Sequence, residues 1–295
     1  MKQEYLKEIR NRFRTELAQA YPPEEIESIF HLLIAHYFAF PKTILAMEPA
    51  KKISSSEAVT LLRALDDLSK HRPVQQIMGQ AYFMDMNLLV TPDVLIPRPE
   101  TAELVAWVET SFREHPSTLS MLDAGTGSGC IALGLKRYLP DAKVYGIDIS
   151  DAALKVARLN AEAQNLEITF LKDDLRHPES ELPKMDAIVS NPPYVPESEA
   201  ETMHLHVTAS EPHLALFVPD EDPLMFYRYL CDFAGIHLKN QGWIYLETHR
   251  DYAEAVKALL EGRGFISAEV KKDIFDKNRF VRAKWNSIPP GSSGL

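Results

Sequence analysis

The chain has 295 residues, 45% of them apolar and 25% charged, and carries a net charge of −10. These are the proportions of a soluble globular protein with one large or two ordinary domains, and the acidic balance argues against broad nucleic-acid binding, which needs a basic face. Cys130 and Cys231 are the only cysteines, too few for a disulfide framework, so a reducing, cytoplasmic setting is expected.

The N-terminal stretch "MKQEYLKEIRNRF" mixes charges throughout and lacks the apolar core of a signal peptide. Tyr5, Ile9, Phe13 and Leu17 recur every four residues and predict a first helix. Pro22-Pro23-Glu24-Glu25 predicts the start of a second, with proline and acids where a helix N-terminus accepts them. The most apolar run, Ile29 to Phe40, is too short to span a bilayer and reads as a buried helix. Ser54 and Glu57 match a capping box, and Ala58, Leu61, Leu62, Leu65 and Leu68 predict a third helical face. Together these elements predict a helical bundle over residues 1–75.

The period then changes. "AYFMDMNLLVTPDVLIPRPET" carries three prolines and no helical stripe. Tyr82 to Leu89 predicts a hairpin within a linker over residues 76–95. By its residues alone, "IPRPET" reads as an extended segment fixed by prolines. From about residue 118, the short apolar strands "SMLDAG", "KVYGIDI", "EITFLK", "DAIVSNPP" and "GWIYLET" alternate with helical segments such as 152–164 and 252–260. Such alternation predicts an α/β domain over residues 96–288, with a mostly parallel sheet covered on both faces. The closely spaced strands near 266–271 and 280–283 predict an antiparallel pair at the edge. The tail 289–295, "PPGSSGL", reads as a disordered or appended end.

"MLDAGTGSGCIALGL" runs strand, glycine loop, helix. Gly125, Gly127 and Gly129 let a ligand approach the backbone where the first strand turns into its helix. Asp148 ends the next strand, about 20 residues on, where an acid can accept hydrogen bonds from both ribose hydroxyls of a nucleoside. The spacing G-x-G-x-G differs from the dinucleotide fingerprint, and the loop holds no basic residue for a pyrophosphate. Both features point to a cofactor without phosphates.

These motifs resemble those of the class I S-adenosylmethionine-dependent methyltransferases, which implies a Rossmann-like, seven-stranded domain. By that resemblance the loop Gly125, Thr126, Gly127, Ser128 and Gly129 passes the methionine portion, and Asp148 holds the ribose. Asp174 and Leu175 of "KDDL" would lie beside the adenine. For Asp173 and Asp174 a solvated helix cap is the plainer reading.

The fourth strand leaves the sheet through Asn191-Pro192-Pro193-Tyr194. Proline has no N–H for the ladder, so the strand must end there. In an open α/β sheet such a strand end faces the crevice where ligands bind. The prolines stiffen the turn and leave the Pro192 carbonyl free to accept, and Asn191 adds a second acceptor, besides bordering the cofactor. Two acceptors fixed close together suit a planar –NH2 group, with Tyr194 offering a flat face. The amino group could belong to adenine, cytosine or a glutamine side chain, and these four residues do not distinguish them.

The whole chain resembles the protein-(glutamine-N5) methyltransferases that act on peptide chain release factors. The resemblance is carried by Arg72-Pro73 with Gln76 and Gly79, Tyr82-Phe83, "LIPRPETAELV", "LDAGTGSGCIAL", "SNPPYVP", "EPHLALF" from Glu211, "FYR" at Phe226 and "NRF" at Asn278. It implies methyl transfer to the glutamine of a Gly-Gly-Gln motif, with S-adenosylhomocysteine as product. It further implies that Arg98 and Glu100 shape the substrate entrance and that the N-terminal helices dock the release factor. A monomer that touches no nucleic acid directly and no membrane is expected. The chain departs from the usual pattern at 217–224, "FVPDEDPL", and at 248–251, where "LETHRDY" carries His249-Arg250; both read as loop variations.

Other readings make different demands. A glutamine methyltransferase of a large-subunit ribosomal protein would carry the same motifs. An N6-adenine nucleic-acid methyltransferase would add a basic recognition region, and none is visible. A nicotinamide oxidoreductase would use the same Asp148 but need phosphate-binding features. A non-catalytic scaffold would break the Asn191–Tyr194 motif. His204 and His206, with no third ligand in sequence, read as a polar face rather than a metal site.

Overall fold

The structure is a computed structural model that describes residues 3–115, 118–202 and 211–287. The tail and the His204–His206 pair lie outside the described residues. Two compact units emerge, one of residues 3–80 and one of residues 81–202 with 211–287. Among the described residues, no helix is long and apolar enough to cross a membrane.

In the first unit, helix Leu6–Glu16 buries Leu6, Ile9 and Phe13, with Leu17 following. Leu6 takes the place that the four-residue spacing assigned to Tyr5. The reason is that Gln3–Tyr5 is a short strand, paired antiparallel with Lys52–Ser54. Helix Pro23–Phe38 has Pro23 in its first turn and buries Ile26, Ile29, Phe30, Leu33 and Ile34. Its apolar run is one face of an amphipathic helix, since Leu32 remains 48% exposed. Helix Ser55–Ser69 opens on the expected capping box: the Glu57 N–H donates to Ser54 Oγ at 3.3 Å, and the Ser54 N–H donates to Glu57 Oε2 at 2.7 Å. The faces of these helices meet in one apolar core.

Strands Gln80–Phe83 and Met86–Leu89 form the hairpin. The chain then runs without regular structure to Arg98. There the sequence expectation needs correcting, because Pro99 opens a helix, Pro99–Phe112. Proline at the first helical position forfeits only an N–H that has no intrahelical acceptor. Thr101, Leu104, Val105, Val108 and Phe112 make its buried stripe.

The large sheet has seven strands: β1 (Ser120–Ala124), β2 (Lys143–Asp148), β3 (Thr169–Lys172), β4 (Met185–Ser190), β5 (Leu238–Glu247), β6 (Phe265–Lys272) and β7 (Asn278–Trp285). Their order is β6-β7-β5-β4-β1-β2-β3. All neighbours are parallel except at β7, which runs antiparallel to both β5 and β6 and closes that edge. Successive residues of the central strands point to opposite faces, and both faces are covered. Met121, Ala187, Val189 and Tyr245 pack under helices Pro99–Phe112, Cys130–Tyr138 and Asp151–Ala163. Leu122, Ile188, Ile244 and Leu246 pack under helices Met225–His237 and Ala253–Gly262.

Asn160 is buried on helix Asp151–Ala163. Its Oδ1 accepts from the Leu89 N–H at 2.6 Å, and its Nδ2 donates to the Leu89 carbonyl at 3.0 Å and the Ser128 carbonyl at 2.9 Å. One amide thus ties the hairpin exit to the glycine loop. Replacing it strands three backbone groups. Asn160→Leu should lower the unfolding free energy by about 2–4 kcal/mol, read from the shift in a urea transition.

Candidate active site

In the sheet order the chain steps from β1 outward to β3 and returns beside β1 as β4. This is the switch point, and ligands of open α/β sheets bind outside the strand ends that flank it. The Ser190 hydroxyl, at the end of β4, donates to the Ala124 carbonyl, at the end of β1, over 2.6 Å. Both strands are therefore held at the point where each leaves the sheet.

From β1 the chain enters the glycine loop. Gly125 and Gly127 have φ of 77° and 53°, and a Cβ on either would meet nothing within 4 Å, so the loop leaves open space in front of it. The Gly125 and Thr126 N–H groups both donate to the Ile147 carbonyl at 2.9 Å. The Gly127 N–H donates to Asp148 Oδ2 and the Ser150 N–H to Asp148 Oδ1, each at 2.9 Å. Each Asp148 oxygen keeps a further lone pair, and the residue lines the cavity. Burial raises its pKa, with the backbone donors opposing.

One cavity lies across the switch point, lined by Gly125, Thr126, Gly127, Ser128, Asp148, Asp174, Leu175, Asn191, Pro192, Pro193 and Arg98 among others. Three of the positions expected at the site lie off its wall. Gly129 caps helix Cys130–Tyr138, and a Cβ there would stand 3.0 Å from Leu133 Cδ1 and 3.2 Å from Ala157 Cβ, so its smallness serves helix packing. Glu100 sits in the first turn of helix Pro99–Phe112. Tyr194 is half-buried, with its hydroxyl on Glu247 Oε1 at 3.2 Å.

Neither aspartate of "KDDL" caps a helix. Asp173 is buried and accepts from the N–H groups of Asp174, Glu179 and Ser180, closing an irregular loop. Asp174 pairs with Arg176 at 2.7 Å, which together with a backbone donor holds its pKa low. Arg98 donates through Nη2 to both oxygens of Glu211, at 2.7 and 2.9 Å. Among the described residues, Arg98 and Arg176 are the cations lining the cavity, and a carboxylate occupies each.

From β4 the chain enters Asn191. No hydrogen bond among the described residues ends on the Pro192 carbonyl. Asn191 Nδ2 donates to Thr101 Oγ1 at 3.1 Å, and the Thr101 hydroxyl donates to Glu247 Oε2 at 2.8 Å. The Tyr227 hydroxyl donates to the Glu247 carbonyl at 3.1 Å. Burial pushes the Glu247 carboxyl up to about 7. Thr101 and Glu247 escaped the sequence analysis, as did Asp123 beneath the loop. Of the two variant runs, 248–251 is a loop, as read, and 217–224 departs from that reading only at its start. Phe217–Val218 is a short strand, parallel to Val195–Pro196, that anchors the chain just after Tyr194. Thr248 and His249 are buried.

The sheet order, the glycine loop with its acid and the Asn-Pro-Pro-Tyr turn define a class I methyltransferase. In fold the chain is similar to the solved catalytic domain of hMettl16 in complex with MAT2A 3′UTR hairpin 6, with a TM-score of 0.54 and 16% identity over 82% of this chain and 87% of that one. It is also similar to a methyltransferase from Pyrococcus furiosus, with a TM-score of 0.50 and 15% identity over 79% of this chain and all, 100%, of the other. Residues 8–79 match the family described as PrmC N-terminal domain and residues 106–215 the Methyltransferase small domain. The chain is 40% identical to the release factor glutamine methyltransferase of Bacteroides thetaiotaomicron, over 92% of this chain and 96% of that protein. It is 36% identical to the one from Flavobacterium psychrophilum, over 95% of this chain and 99% of that protein. The chain belongs to the release factor glutamine methyltransferase family.

Asp123 allows a test of the loop's foundation. It is fully buried; Oδ2 accepts from the Thr126 hydroxyl at 2.6 Å and the Ala132 N–H at 3.1 Å, while Oδ1 has no partner among the described residues. Burial pushes its pKa from the ordinary 3.8 up to about 7. A folded-state pKa above the unfolded one means that the native protein holds the extra proton, so this contribution is full below about 4 and is lost as pH rises through about 7. The unfolding free energy should therefore fall between those limits, and Asp123→Asn should flatten that part of the profile, measured by denaturation across pH.

Proposed function

We propose that this chain transfers a methyl group from S-adenosylmethionine to the side-chain amide nitrogen, N5, of the glutamine in the Gly-Gly-Gln motif of peptide chain release factors, leaving S-adenosylhomocysteine. The observation that carries the reading is the placement of Asn191 and Pro192 across the switch point from the glycine loop, on one cavity wall, in a chain of this family.

The cavity suits a nucleoside cofactor without phosphates. Asp148 has lone pairs left for two ribose hydroxyls, and the loop at Gly125 and Gly127 leaves room for a close approach. Asp174 and Leu175 supply the wall for the adenine. Arg98 and Arg176, the cations lining the cavity among the described residues, are spent on Glu211 and Asp174, so neither is free to meet a phosphate. When bound, S-adenosylmethionine supplies a methyl group activated by the sulfonium.

The chain's own task is to hold a poor nucleophile. An amide nitrogen shares its lone pair with the carbonyl. Asn191 Oδ1 and the Pro192 carbonyl accept its two N–H groups, which raises electron density on nitrogen and fixes its direction of attack. Pro193 stiffens this turn, and Tyr194 backs it. The nitrogen becomes acidic as it is alkylated, so its proton can leave to water without a dedicated base. Arg98 and Glu100 flank the entrance for the substrate segment. The helical unit of residues 3–80 is assigned to docking the release factor. We place the reaction in the cytoplasm, with the chain acting as a monomer on a protein and touching no nucleic acid directly; its acidity supports that choice.

The test is transfer of labelled methyl to a purified release factor, set beside the same factor with the Gly-Gly-Gln glutamine replaced, ribosomal proteins and adenine-rich DNA. Label is expected on the intact factor alone; label on ribosomal protein or DNA in its place would overturn the substrate assignment. Asn191→Ala should lower kcat/KM by about 100-fold or more. Asp148→Ala should instead weaken binding of S-adenosylhomocysteine by about 100-fold, read by calorimetry, through loss of two charge-assisted hydrogen bonds.

A further inference from the structure

Asn191 can do its work only one way round. Its carbonyl oxygen accepts an N–H of the substrate, whereas its NH2 end, turned the same way, would repel that N–H. An asparagine amide is nearly symmetric in shape, so packing does not choose between the two orientations. Hydrogen bonding must choose.

The partner of the Asn191 amide is the Thr101 hydroxyl, at 3.1 Å from Nδ2. A hydroxyl has one hydrogen and can both donate and accept. If its hydrogen were free to point at Asn191, either end of the amide would be satisfied. It is not free. Thr101 Oγ1 lies 2.8 Å from Glu247 Oε2, and once that carboxyl has ionised, above its raised value of about 7, it only accepts. The hydroxyl hydrogen is therefore committed to Glu247, and what Thr101 offers Asn191 is a lone pair. Only the NH2 end can meet it, and the oxygen is left for the substrate.

Glu247 is itself well placed to impose this. It is 1% exposed, at the end of β5, and its backbone carbonyl is held by Tyr227. Its other oxygen, Oε1, accepts from the Tyr194 hydroxyl at 3.2 Å. The same carboxylate thus holds the acceptor and the ring of the Asn-Pro-Pro-Tyr turn. Among the described residues no cation forms a salt bridge with it, although Arg279 lies close enough to favour its charged form. A buried carboxylate without a paired cation costs stability, and an apolar side chain would fill the place more cheaply. Core packing alone gives no reason for a glutamate at this position.

We propose that Glu247, acting through the Thr101 hydroxyl, is a positioning residue that fixes the orientation of the Asn191 amide and so directs its oxygen at the substrate nitrogen. The inference rests on the proposed reaction at this site. Thr101 lies on the cavity wall and Glu247 behind it, and the role assigned to each is exerted through Asn191.

The test compares Thr101→Val, which keeps the shape and removes the hydroxyl, with Thr101→Ser, which keeps the hydroxyl, and with Glu247→Gln, which no longer dictates the direction of the hydroxyl hydrogen. Steady-state methylation of a release factor is measured beside calorimetric binding of S-adenosylhomocysteine. Thr101→Val and Glu247→Gln should lower kcat by about 10- to 100-fold. Cofactor affinity should stay within about 2-fold of the unaltered chain, and Thr101→Ser should keep kcat within about 3-fold. A kcat for Thr101→Val as high as that of Thr101→Ser would overturn the proposal. So would a loss of cofactor affinity matching the loss of kcat, since that marks a damaged fold. If the unaltered chain labels no release factor, the reaction itself is wrong and this inference falls with it; activity there with full activity in Thr101→Val removes the inference alone.

Discussion

The site depends on the parallel neighbourhood of β1 and β4. These strands lie far apart in sequence, yet the sheet order puts their carboxyl ends side by side, and the Ser190 hydroxyl joins them through the Ala124 carbonyl. Each strand then leaves the sheet in the way its residues require. β1 turns through glycines that can take positive φ. β4 stops at two prolines that cannot donate to a ladder. The cofactor wall and the amide acceptors are thus consequences of one backbone adjacency. Chemistry that needs a methyl donor and a nitrogen brought together is placed where two strand ends already meet.

Behind this front lies a second layer held by buried polar groups. Glu247, Thr101, Asn160 and Asp123 are all buried. Asn160 binds the glycine loop to the hairpin exit, Asp123 accepts from the loop's threonine, and Glu247 stands behind the asparagine turn. Each holds a segment that carries no regular structure of its own. Arg98 and Glu211 do the same for the segments around them, and their pairing removes a cation from a cavity that would otherwise suit phosphates.

Features with a local signature were legible in the sequence. The capping box at Ser54 and Glu57 is written within four residues. The central strands of the large sheet show as apolar runs because both of their faces are covered. The positions that line the cavity, from Gly125 through Asp148 to Asn191, each sit at the end of a readable strand. What escaped notice has no local signature. The bond between Thr101 and Glu247 spans 146 positions, and no spacing rule encodes such a pair. Asn160 left one trace, a poor helix former in the middle of a helix. Helix Pro99–Phe112 was hidden by its own first residue: proline there reads as linker unless the apolar stripe from Thr101 to Phe112 is counted with it. Tyr5 matched the helical period while belonging to a strand, since a spacing of four does not reveal where a helix begins. Gly129 looked like its neighbours in the loop, and only the nearness of Leu133 and Ala157 shows that its smallness serves packing.

The central claim is that Asn191 and Pro192 hold a planar carboxamide –NH2 at the mouth of the cofactor cavity. The most direct measurement is a crystal structure of this chain with S-adenosylhomocysteine and a peptide carrying the Gly-Gly-Gln motif. The account predicts the glutamine nitrogen within hydrogen-bond distance of both Asn191 Oδ1 and the Pro192 carbonyl, facing the sulfur, with Asn191 Nδ2 still on Thr101. A glutamine bound elsewhere, or one presenting its carbonyl oxygen to Asn191, would contradict it.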